Sequence, residues 1–334
     1  MKEWLQLDKA QKLRIFEQIR SNTGLPVQAI EKDWWVVKTL ELVFQTSIAP
    51  HTVFKGGTSL SKAWDLIDRF SEDIDLALDR KFLGFDKAMT GAQVSKLRKH
   101  SFHYISEIFY PELKSKFQKA GFDQVTVQLG PIRDTDQDPL IIELYYPGIT
   151  ESAAYIQPRV LVEIGSRSLM EPHTRKSFSS LVGEQYRGQA FADAAITIPT
   201  VNPERTFLEK IFLLHEEFQK TGDKVRVDRL SRHLYDIEKM MDTPFAAEAL
   251  ANNDLYNGIV EHRRAMNSLR GIDYANHTPD KINPIPPASI INEWKKDYET
   301  MQEFMIYKES LPFNKLIERM QELKTRINNL SKAH

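Results

Sequence analysis

The chain has 334 residues, of which 41% are hydrophobic and 27% charged, an ordinary composition for a globular protein with room for two domains. It contains no cysteine, which excludes disulfides, zinc-thiolate sites and cysteine nucleophiles and is typical of a reducing compartment. A formal net charge of -1 gives no global sign of nucleic-acid binding, so any polyanion would have to bind a local patch.

The N-terminal part of the chain predicts helices and no targeting signal. Its opening residues, MKEWLQLDKAQKLRIFEQIR, lack the continuous apolar core of a signal peptide, and no later run is long enough to cross a bilayer. We therefore expect a cytoplasmic protein with no membrane partner. Residues 30–44, IEKDWWVVKTLELVF, are rich in apolar residues and have few helix breakers, which predicts a helix.

The middle of the chain predicts a mixture of helices and strands. Residues 54–78 predict a turn, a short helix, a second turn and a strand, and residues 94–120 predict a longer helix with alternating charge. Further strands are predicted in QVTVQLG and LIIELYYPG, which flank the turn-forming DTDQDP, and in RVLVEI. DTDQD imitates the start of a calcium loop but lacks its glycine and terminal glutamate, so we interpret it as a turn.

Two prolines in ITIPTVNPERT mark the expected junction between two domains. Beyond this junction the chain predicts mostly helices, apart from a loop at residues 276–287. We therefore expect an α+β domain over residues 1–198 and an α-helical domain over residues 199–334.

The motif GGTS at residues 56–59 stands directly before an amphipathic segment. The apolar residues of that segment recur at helical spacing and predict one buried helix face, formed by Leu60, Ala63, Trp64 and Ile67. GGTS then lies at a helix N-terminus, where free N–H groups and the positive end of the dipole favour an anion. Its glycines allow the backbone to approach a phosphate closely, and Thr58 and Ser59 add hydroxyl donors. The spacing is not that of a P-loop.

Asp73 and Asp75 lie in an apolar run, where they alternate with isoleucine and leucine. Residues two apart in a strand share a face, so both carboxylates would point the same way, about 7 Å apart. A divalent cation relieves their repulsion, and Mg²⁺ is usually held by one or two carboxylates together with substrate phosphates. In tandem with GGTS, this strand predicts metal-assisted nucleotidyl transfer. Taken singly, GGTS could be only a turn, and the DID sequence only the solvated face of an edge strand.

The stretch FKGGTSLSKAWDLIDRFSEDIDLAL closely resembles the first motif of the AbiEii/AbiGii toxin family, nucleotidyltransferases with a polymerase-β-like fold. The preceding EKDWWVVKTL resembles the usual lead-in to that motif. Downstream, NPERTFLEKIFLLHEE and RLSRHLYDIEKM resemble the family's lysine helix and its arginine/tyrosine/aspartate helix. These matches are spread over residues 30–240, whereas the rest of the chain shares only a helical tail with the family.

The resemblance implies an α+β fold in which a small mixed sheet is flanked by helices and followed by an α-helical C-terminal domain that contributes Lys210 and Asp236 to the site. It implies an NTP-dependent, pyrophosphate-releasing nucleotidyltransferase that uses Mg²⁺ (or Mn²⁺) and is the toxin of a toxin–antitoxin or abortive-infection system. The implied partners are an NTP, a cognate antitoxin and an RNA acceptor such as the 3′ end of tRNA, as in the related MenT toxins. The alternatives are a catalytically idle protein of this fold that binds nucleotide or RNA, and a housekeeping nucleotidyltransferase.

Carried over to this sequence, the resemblance gives individual residues a role. Asp73 and Asp75 would bind the metal, Lys210 would contact the triphosphate, and Asp236 would be the late acidic residue of the site. The residues expected to bind the nucleotide are Lys55, Gly56, Gly57, Thr58, Ser59, Ser71 and Lys210. The chain departs from many relatives at His233, where they have aspartate.

Glu163 is a further candidate for the metal site. It is a charged residue within the apolar strand RVLVEI and therefore needs a partner. By analogy with the fold, which requires a third carboxylate on a neighbouring strand, we choose Glu163 as a catalytic metal ligand. The alternative is an ion pair at the strand end with Arg159 or Arg167.

Two predicted helices of the second domain carry the remaining candidates. The buried stripe of the first consists of Phe207, Ile211, Leu214 and Phe218. Lys210 borders this stripe, from which a lysine can reach into a cleft. Arg229, His233 and Asp236 would share one face of the next helix, where an exposed salt bridge is the alternative to a functional role. The basic residues 224–233 could contact RNA phosphates or be merely solvated.

Overall fold

The computed structural model describes residues 2–71, 73–86, 89–151, 156–267 and 269–330. By its internal contacts the chain divides into a first unit, Met1–Trp64 with Phe70–Val201, and a second unit, Asp65–Arg69 with Asn202–His334. The short segment Asp65–Arg69 follows the glycine motif and precedes the D-x-D strand in sequence, yet it belongs to the second unit. In the described residues, no helix is both long and apolar enough to cross a membrane.

The first unit contains the predicted helices and one, α7, that was not predicted. They are α1 (Lys2–Gln6), α2 (Lys9–Thr23), α3 (Val27–Val43), α4 (Gly56–Lys62), α5 (Gly91–Tyr104), α6 (Tyr110–Lys119) and α7 (Leu181–Gln185). The helix predicted over residues 30–44 is α3. The one predicted over residues 94–120 is α5 and α6, joined by a π-helical turn at Ile105–Phe109. Pro111 in the first turn of α6 cannot donate a backbone hydrogen bond, which accounts for the widened turn before it.

The strands of the first unit form one mixed sheet. They are β1 (Thr52–Lys55), β2 (Asp73–Leu78), β3 (Thr126–Leu129), β4 (Leu140–Tyr145), β5 (Arg159–Gly165), β6 (His173–Phe178) and β7 (Ile196–Val201). Their spatial order is β3-β4-β5-β2-β1-β7-β6. The β2–β5 and β1–β7 pairs are parallel and the other pairs are antiparallel.

The predictions for β2, β3, β4 and β5 are confirmed, but β1, β6 and β7 were missed. The four residues of β1 are too few to show a period. Most side chains of β6, an edge strand, are at least partly exposed, so its sequence lacks an apolar alternation. Residues 196–201, interpreted as part of a domain junction, form β7, in which Pro199 faces Arg175 of β6. A proline there costs a ladder hydrogen bond without preventing the pairing.

Alternation along the two central strands separates a core face from a site face. The apolar residues Ile74, Leu76, Val162 and Ile164 are buried. The residues between them on β2 and β5 include Asp73, Asp75 and Glu163, which are only half-buried. The core therefore fixes on which face the carboxylates lie, because a slip of one residue would turn them into the core.

The second unit is helical. Its helices are α8 (Pro203–Gln219), α9 (Arg232–Met240), α10 (Pro244–Ala251), α11 (Asn253–Met266), α12 (Ile291–Phe304) and α13 (Phe313–Leu330). Most residues of α8 are buried, so this helix lies at the centre of the unit. The predicted loop at residues 276–287 contains only short turns, such as the 3-10 turn Pro279–Lys281. The predicted fold class, α+β with a flanked mixed sheet followed by a helical part, is confirmed.

Candidate functional site

A row of charged residues crosses the centre of the sheet. Asp75 on β2 is the register partner of Lys55 on β1 and of Glu163 on β5. Neighbouring strands lie about 4.8 Å apart, so the carboxylates of Asp75 and Glu163 project side by side. Asp73 is on the same face, two residues earlier on β2. The D-x-D strand is thus confirmed as a strand, and its neighbour brings Glu163 to the same place.

Gly56, the first residue of α4, lies directly against the Asp75 carboxylate. A Cβ atom at position 56 would stand 1.9 Å from Asp75 Oδ2 and 2.8 Å from its Cγ. The backbone of Gly56 also has φ +80°, a left-handed conformation that favours glycine. Only glycine therefore allows the start of α4 and the Asp75 side chain to occupy their observed positions.

The hydroxyl groups of the GGTS motif bond within the protein. Thr58 Oγ1 donates to the carbonyl oxygen of Asp73 at 2.5 Å and lies 2.9 Å from Ser71 Oγ. Ser59 Oγ donates to the carbonyl oxygen of Gly56 at 2.8 Å, and both GGTS hydroxyl residues are buried. The bond from Thr58 ties the first turn of α4 to the start of β2, and the bond from Ser59 stays within α4. Phosphate binding by Thr58, Ser59, Gly57 and Ser71 remains a prediction.

The helix after the glycines is shorter than predicted. It begins at Gly56, so that GGTS is its first turn, and it ends at Lys62. The backbone of Asp65 has φ +51° and cannot continue a helix. Leu60, Ala63 and Ile67 are buried as expected, but only Leu60 lies on α4. The spacing that predicted one helix face was therefore partly produced by a turn.

A second charged cluster lies in the second unit and includes Lys210 and Asp236. Asp236 accepts hydrogen bonds from Arg69 at both oxygens, at 2.6 Å from Nε and 2.7 Å from Nη2. Lys210 Nζ lies 2.8 Å from Asp236 Oδ2 and 3.4 Å from His233 Nδ1. All four side chains are buried. The salt bridge of Asp236 is therefore buried, and the exposed one considered as its alternative is wrong. Contact of Lys210 with a triphosphate stays a prediction.

Burial and neighbouring charge shift the protonation of the second cluster. Burial alone would raise the pKa of the Asp236 carboxyl, but Arg69 and Lys210 together hold this pKa well below its ordinary value. Burial, opposed by Asp236 and aided by Arg69, lowers the pKa of the Lys210 ammonium. Burial, with the nearby cations Lys210 and Arg232, lowers the pKa of His233 well below its ordinary value. His233 is therefore neutral at pH 7, beside an ionised aspartate.

Arg229 was expected on the same helix face as His233 and Asp236, and this prediction is wrong. Helix α9 begins at Arg232, and Arg229 precedes it with φ +58°. The backbone N–H of Arg229 donates to Asp297 Oδ1 at 2.7 Å, while Ser231 donates its N–H to Oδ2 at 3.0 Å. The Asp297 carboxylate thus holds the residues before α9 in a turn, where the spacing alone had predicted helix.

The alternative for Glu163 was an ion pair with a nearby arginine. Arg159 Nη1 lies 3.3 Å from Glu143 Oε1, and Arg167 donates to the carbonyl oxygen of Asp138. Asp138 is buried and is the last residue of DTDQD, which forms a turn as predicted. Glu163 is the register partner of Asp75, and a third carboxylate of the site would have to occupy such a position. Metal binding by Glu163 stays a prediction, with an ion pair to Arg159 or Arg167 as its alternative.

The carboxylates of the sheet offer oxygen donors for a metal ion. Across the described ranges, no group of three or more His, Cys, Asp or Glu side chains is arranged to hold a metal ion by itself. Mg²⁺ commonly takes only one or two protein carboxylates, with water and substrate phosphates as its other ligands. Asp73 and Asp75, with the bare backbone of Gly56 beside them, fit that kind of site.

Sequence reasoning missed two residues with buried ion pairs. Arg69 stands in the segment WDLIDRFSED, where nothing indicates its burial or its partner, which is 167 positions away. Lys62 lies three residues after the GGTS motif, and the sequence alone indicates no role for it. Its side chain is 11% exposed, and its Nζ lies 2.9 Å from Asp33 Oδ1. Asp33 is the last of three consecutive charged residues in EKDWW, and this unusual run was the signal that could have indicated the Lys62–Asp33 pair.

Comparison with known proteins identifies the family of the chain. The family model described as "Nucleotidyl transferase AbiEii toxin, Type IV TA system" matches residues 42–322, most of the chain. A search of solved structures finds MenT4, a nucleotidyltransferase toxin from Mycobacterium tuberculosis H37Rv, at 18% identity and a TM-score of 0.43. That match covers 97% of this chain and 98% of MenT4. No curated protein matches the chain. By the family match, the predicted enzyme class is confirmed, and the chain belongs to the AbiEii family of nucleotidyltransferase toxins.

Proposed function

We propose that this protein transfers a nucleotide from an NTP to an RNA acceptor, such as the 3′ end of tRNA, and that it is the cytoplasmic toxin of an antitoxin-controlled pair. The observation that carries the proposal is the contact of Gly56 with Asp75. In this contact the N-terminus of α4 lies within a few ångströms of the Asp75 carboxylate of β2. An anion-binding helix start next to metal-binding carboxylates is what nucleotidyl transfer needs.

Asp73 and Asp75 are the proposed ligands for Mg²⁺ (or Mn²⁺), with Glu163 beside them on β5. When bound, the ion supplies positive charge that offsets the negative charge of the reacting phosphates and of the carboxylates themselves. The protein holds these carboxylates rigidly, because β2 is paired on both sides in the middle of the sheet. Thr58 reinforces this by bonding the carbonyl oxygen of Asp73.

The start of α4 is the proposed phosphate-binding element. Its N-cap residue, Lys55, makes no side-chain hydrogen bond to the first turn, so the cap leaves those N–H groups to other acceptors. Gly56 and Gly57 present their backbone without a side chain, and the Lys55 side chain lies next to Asp75 in the row across the sheet. Residues 55–59 would therefore bind the phosphates mainly through backbone N–H groups, since the hydroxyls of Thr58 and Ser59 already have partners.

Lys210 is the proposed cation for the triphosphate. Burial lowers its pKa, and the contact with Asp236 opposes this, so the role of Asp236 is to keep Lys210 charged and oriented. Charge on this lysine would offset the charge that develops on the leaving pyrophosphate.

Lys210→Met tests this role, since methionine keeps the packing and removes the charge. We expect the transfer rate to fall by about 100- to 1000-fold. The fold should survive, because Asp236 retains Arg69 as a partner. Lys220→Met is the matched control, since Lys220 follows the same helix and pairs with Glu217 at 2.7 Å. A Lys210→Met protein that transfers at the wild-type rate would remove Lys210 from the mechanism.

The basic residues 224–233 are the proposed contact for the RNA backbone. Lys224 is exposed, and the Arg226 side chain is 64% exposed although it pairs with Glu217. Exposed cations of this kind bind phosphates in a sequence-independent way, and the binding weakens as salt rises. An RNA acceptor should therefore be used less efficiently at high ionic strength.

The experiment that tests the proposal is incubation of the purified protein with each labelled NTP, Mg²⁺ and total RNA. We expect label in a discrete RNA band with the wild type and none with Asp75→Asn. Expressed without its antitoxin, the wild type should slow bacterial growth, whereas Asp73→Ala should not. Absence of labelled RNA with every NTP would contradict the RNA acceptor, and harmless overexpression of an active enzyme would contradict the toxin role.

A further inference from the structure

Three consecutive charged residues of α3 are buried, which is unusual for a helix. Glu31, Lys32 and Asp33 are each less than 8% exposed. The Glu31 carboxylate accepts the backbone N–H groups of Ile149 and Thr150, at 2.9 and 3.1 Å. Lys32 and Asp33 also have partners from other parts of the first unit. A run of buried charges with satisfied hydrogen bonds indicates that α3 anchors other segments.

Asp33 joins two short helices to α3. Its Oδ1 lies 2.9 Å from the ammonium of Lys62, the last residue of α4. Its Oδ2 accepts the backbone N–H of Leu181, the first residue of α7, at 2.7 Å. Both carboxylate oxygens are thus used, one for each helix. Asp33 fixes the C-terminus of α4 relative to the N-terminus of α7.

Lys62 closes this arrangement into a ring. Besides Asp33, its ammonium lies 3.6 Å from Glu184, which is on α7. Burial alone would lower the pKa of Lys62, but Asp33 and Glu184 raise it above its ordinary value. The carboxylates of Asp33 and Glu184 therefore hold the Lys62 ammonium in its charged form, with little access to solvent.

The other end of α4 carries the proposed phosphate site. This helix has seven residues, too few for a helix that is stable on its own, so contacts at its two ends set its orientation. At its start, Thr58 bonds Asp73 and Gly56 lies against Asp75. A helix of this length spans about 10 Å, so a small tilt at Lys62 would move Gly56 relative to the Asp75 carboxylate.

We propose that Lys62 and Asp33 are positioning residues that hold α4 so that Gly56 stays against Asp75 and Thr58 stays bonded to Asp73. The inference rests on the proposed function, because the geometry that it protects is that of the proposed nucleotide and metal site. Neither residue touches the nucleotide in this account. They act through the orientation of α4.

Hydrogen–deuterium exchange measures the orientation of α4 without any assay of activity. Lys62→Met and the double variant Lys62→Met/Asp33→Asn are compared with the wild type in peptides that cover residues 54–64 and 73–78. The double variant removes both charges while keeping their shapes, so it guards against misfolding caused by a buried unpaired Asp33. Both variants should exchange faster in these peptides.

The matched control is Lys38→Met. Lys38 is a buried lysine of the same helix α3, and it pairs with Glu41 of that helix and not with α4. Its loss should leave exchange in α4 and β2 unchanged. Unchanged exchange in the Lys62 variants, or an equal change in Lys38→Met, would overturn the inference.

Steady-state kinetics of transfer then measures the effect on the site. We expect kcat to fall by about 10- to 100-fold in Lys62→Met, the range typical of residues that support ligands of a site. The Mg²⁺ concentration for half-maximal rate should rise as well, whereas Lys62→Arg, which keeps the charge, should recover part of the loss. A merely structural role would lower the amount of folded enzyme without moving the Mg²⁺ midpoint.

Hydrogen–deuterium exchange and transfer kinetics together distinguish failure of this inference from failure of the proposed function. Faster exchange in α4 together with no transfer by the wild type would leave the positioning role standing and contradict the proposed function. Normal transfer and an unmoved Mg²⁺ midpoint in Lys62→Met would contradict the positioning role and leave the proposed function standing.

Discussion

Asp75 and Asp236 are both candidate residues of the proposed site, yet their surroundings differ in burial and in neighbouring charge. Asp75 is half-buried on a sheet face, with Asp73 on the same face and Glu163 beside it. Asp236 is fully buried, and its two oxygens bind Arg69 and Lys210. The first region gathers three carboxylates and the cation Lys55 at a partly open surface, whereas the second balances its charges within the core.

The difference teaches what each region can contribute. Like charges held side by side by a rigid sheet lower stability slightly and create a demand for a cation from outside. Opposite charges held together in the interior satisfy one another, and removal of one partner leaves an uncompensated buried charge. Asp75 is therefore expected to matter for activity and Asp236 for both stability and the charge state of Lys210.

The largest effect expected at the sheet is loss of activity in Asp73→Ala or Asp75→Ala. Each variant lacks a proposed metal ligand, so the rate of transfer should fall by much more than about 100-fold, the loss typical of residues that only support a ligand. The free energy of unfolding without Mg²⁺ should change by less than about 1 kcal/mol, because repulsion between carboxylates is relieved. Urea denaturation and label transfer on the same preparations measure both. Full activity in Asp73→Ala would contradict the metal site.

In the second region the expected effect is a loss of stability, and Asp236→Ala is the variant that shows it. Arg69 and Lys210 would be left buried without their carboxylate, which should lower the free energy of unfolding by about 3–5 kcal/mol. Asp242→Ala is the matched control. That carboxylate also binds two cations, Arg319 and Arg326, but it is 61% exposed. Loss of this exposed pairing should cost less than about 1 kcal/mol. Equal losses in the two variants would show that burial does not distinguish the two regions.

Gly56→Ala tests whether the close contact between Gly56 and the Asp75 carboxylate is needed. An added Cβ would collide with the Asp75 carboxylate and would also be strained by φ +80°. Gly188→Ala is the control, because Gly188 has φ +87° but no atom within 4 Å of its added Cβ. Strain alone should cost about 1–2 kcal/mol in both variants. Gly56→Ala should lose further stability and nearly all transfer, while Gly188→Ala should transfer normally. Equal behaviour would mean that the contact with Asp75 is unimportant.

The last prediction is a pH dependence of stability that arises in the second unit. Burial and the neighbouring His277 lower the pKa of His215 to about 4, from an ordinary value near 6.5. The folded pKa is below the unfolded one, so protonation favours unfolding. The contribution is complete above about pH 6.5 and is lost as the pH falls towards 4, with a loss on the order of 3 kcal/mol. His233 should act in the same direction, since its pKa is also lowered.

Denaturation curves between pH 7 and 4.5 measure this slope. His215→Gln should flatten it, whereas His103→Gln, at a 60% exposed histidine of α5, should leave it unchanged. A slope that is the same in His215→Gln and the wild type would contradict the assignment to His215.

The sequence predicted the elements whose physics is local. An apolar-rich run with few helix breakers located α3, alternating charge located α5 and α6, and alternation of apolar and charged residues located β2. The strict period of a strand also placed Asp73 and Asp75 on one face. What it could not predict depends on pairing between distant positions. The bond from Arg69 to Asp236 and the burial of Lys210 leave no local pattern, and Pro199 made β7 resemble a linker. The left-handed residues Asp65 and Arg229 ended or delayed helices that spacing alone would extend.

The most direct test of the central claim is to compare transfer of label from α- and γ-labelled NTP by the same enzyme preparation. Nucleotidyl transfer breaks the bond between the α- and β-phosphates, so the account predicts α-label in the acceptor and γ-label in released pyrophosphate. Asp75→Asn should give neither. Appearance of γ-label in the acceptor, or unchanged α-label transfer by Asp75→Asn, would contradict a nucleotidyl-transfer site built on Gly56 and Asp75.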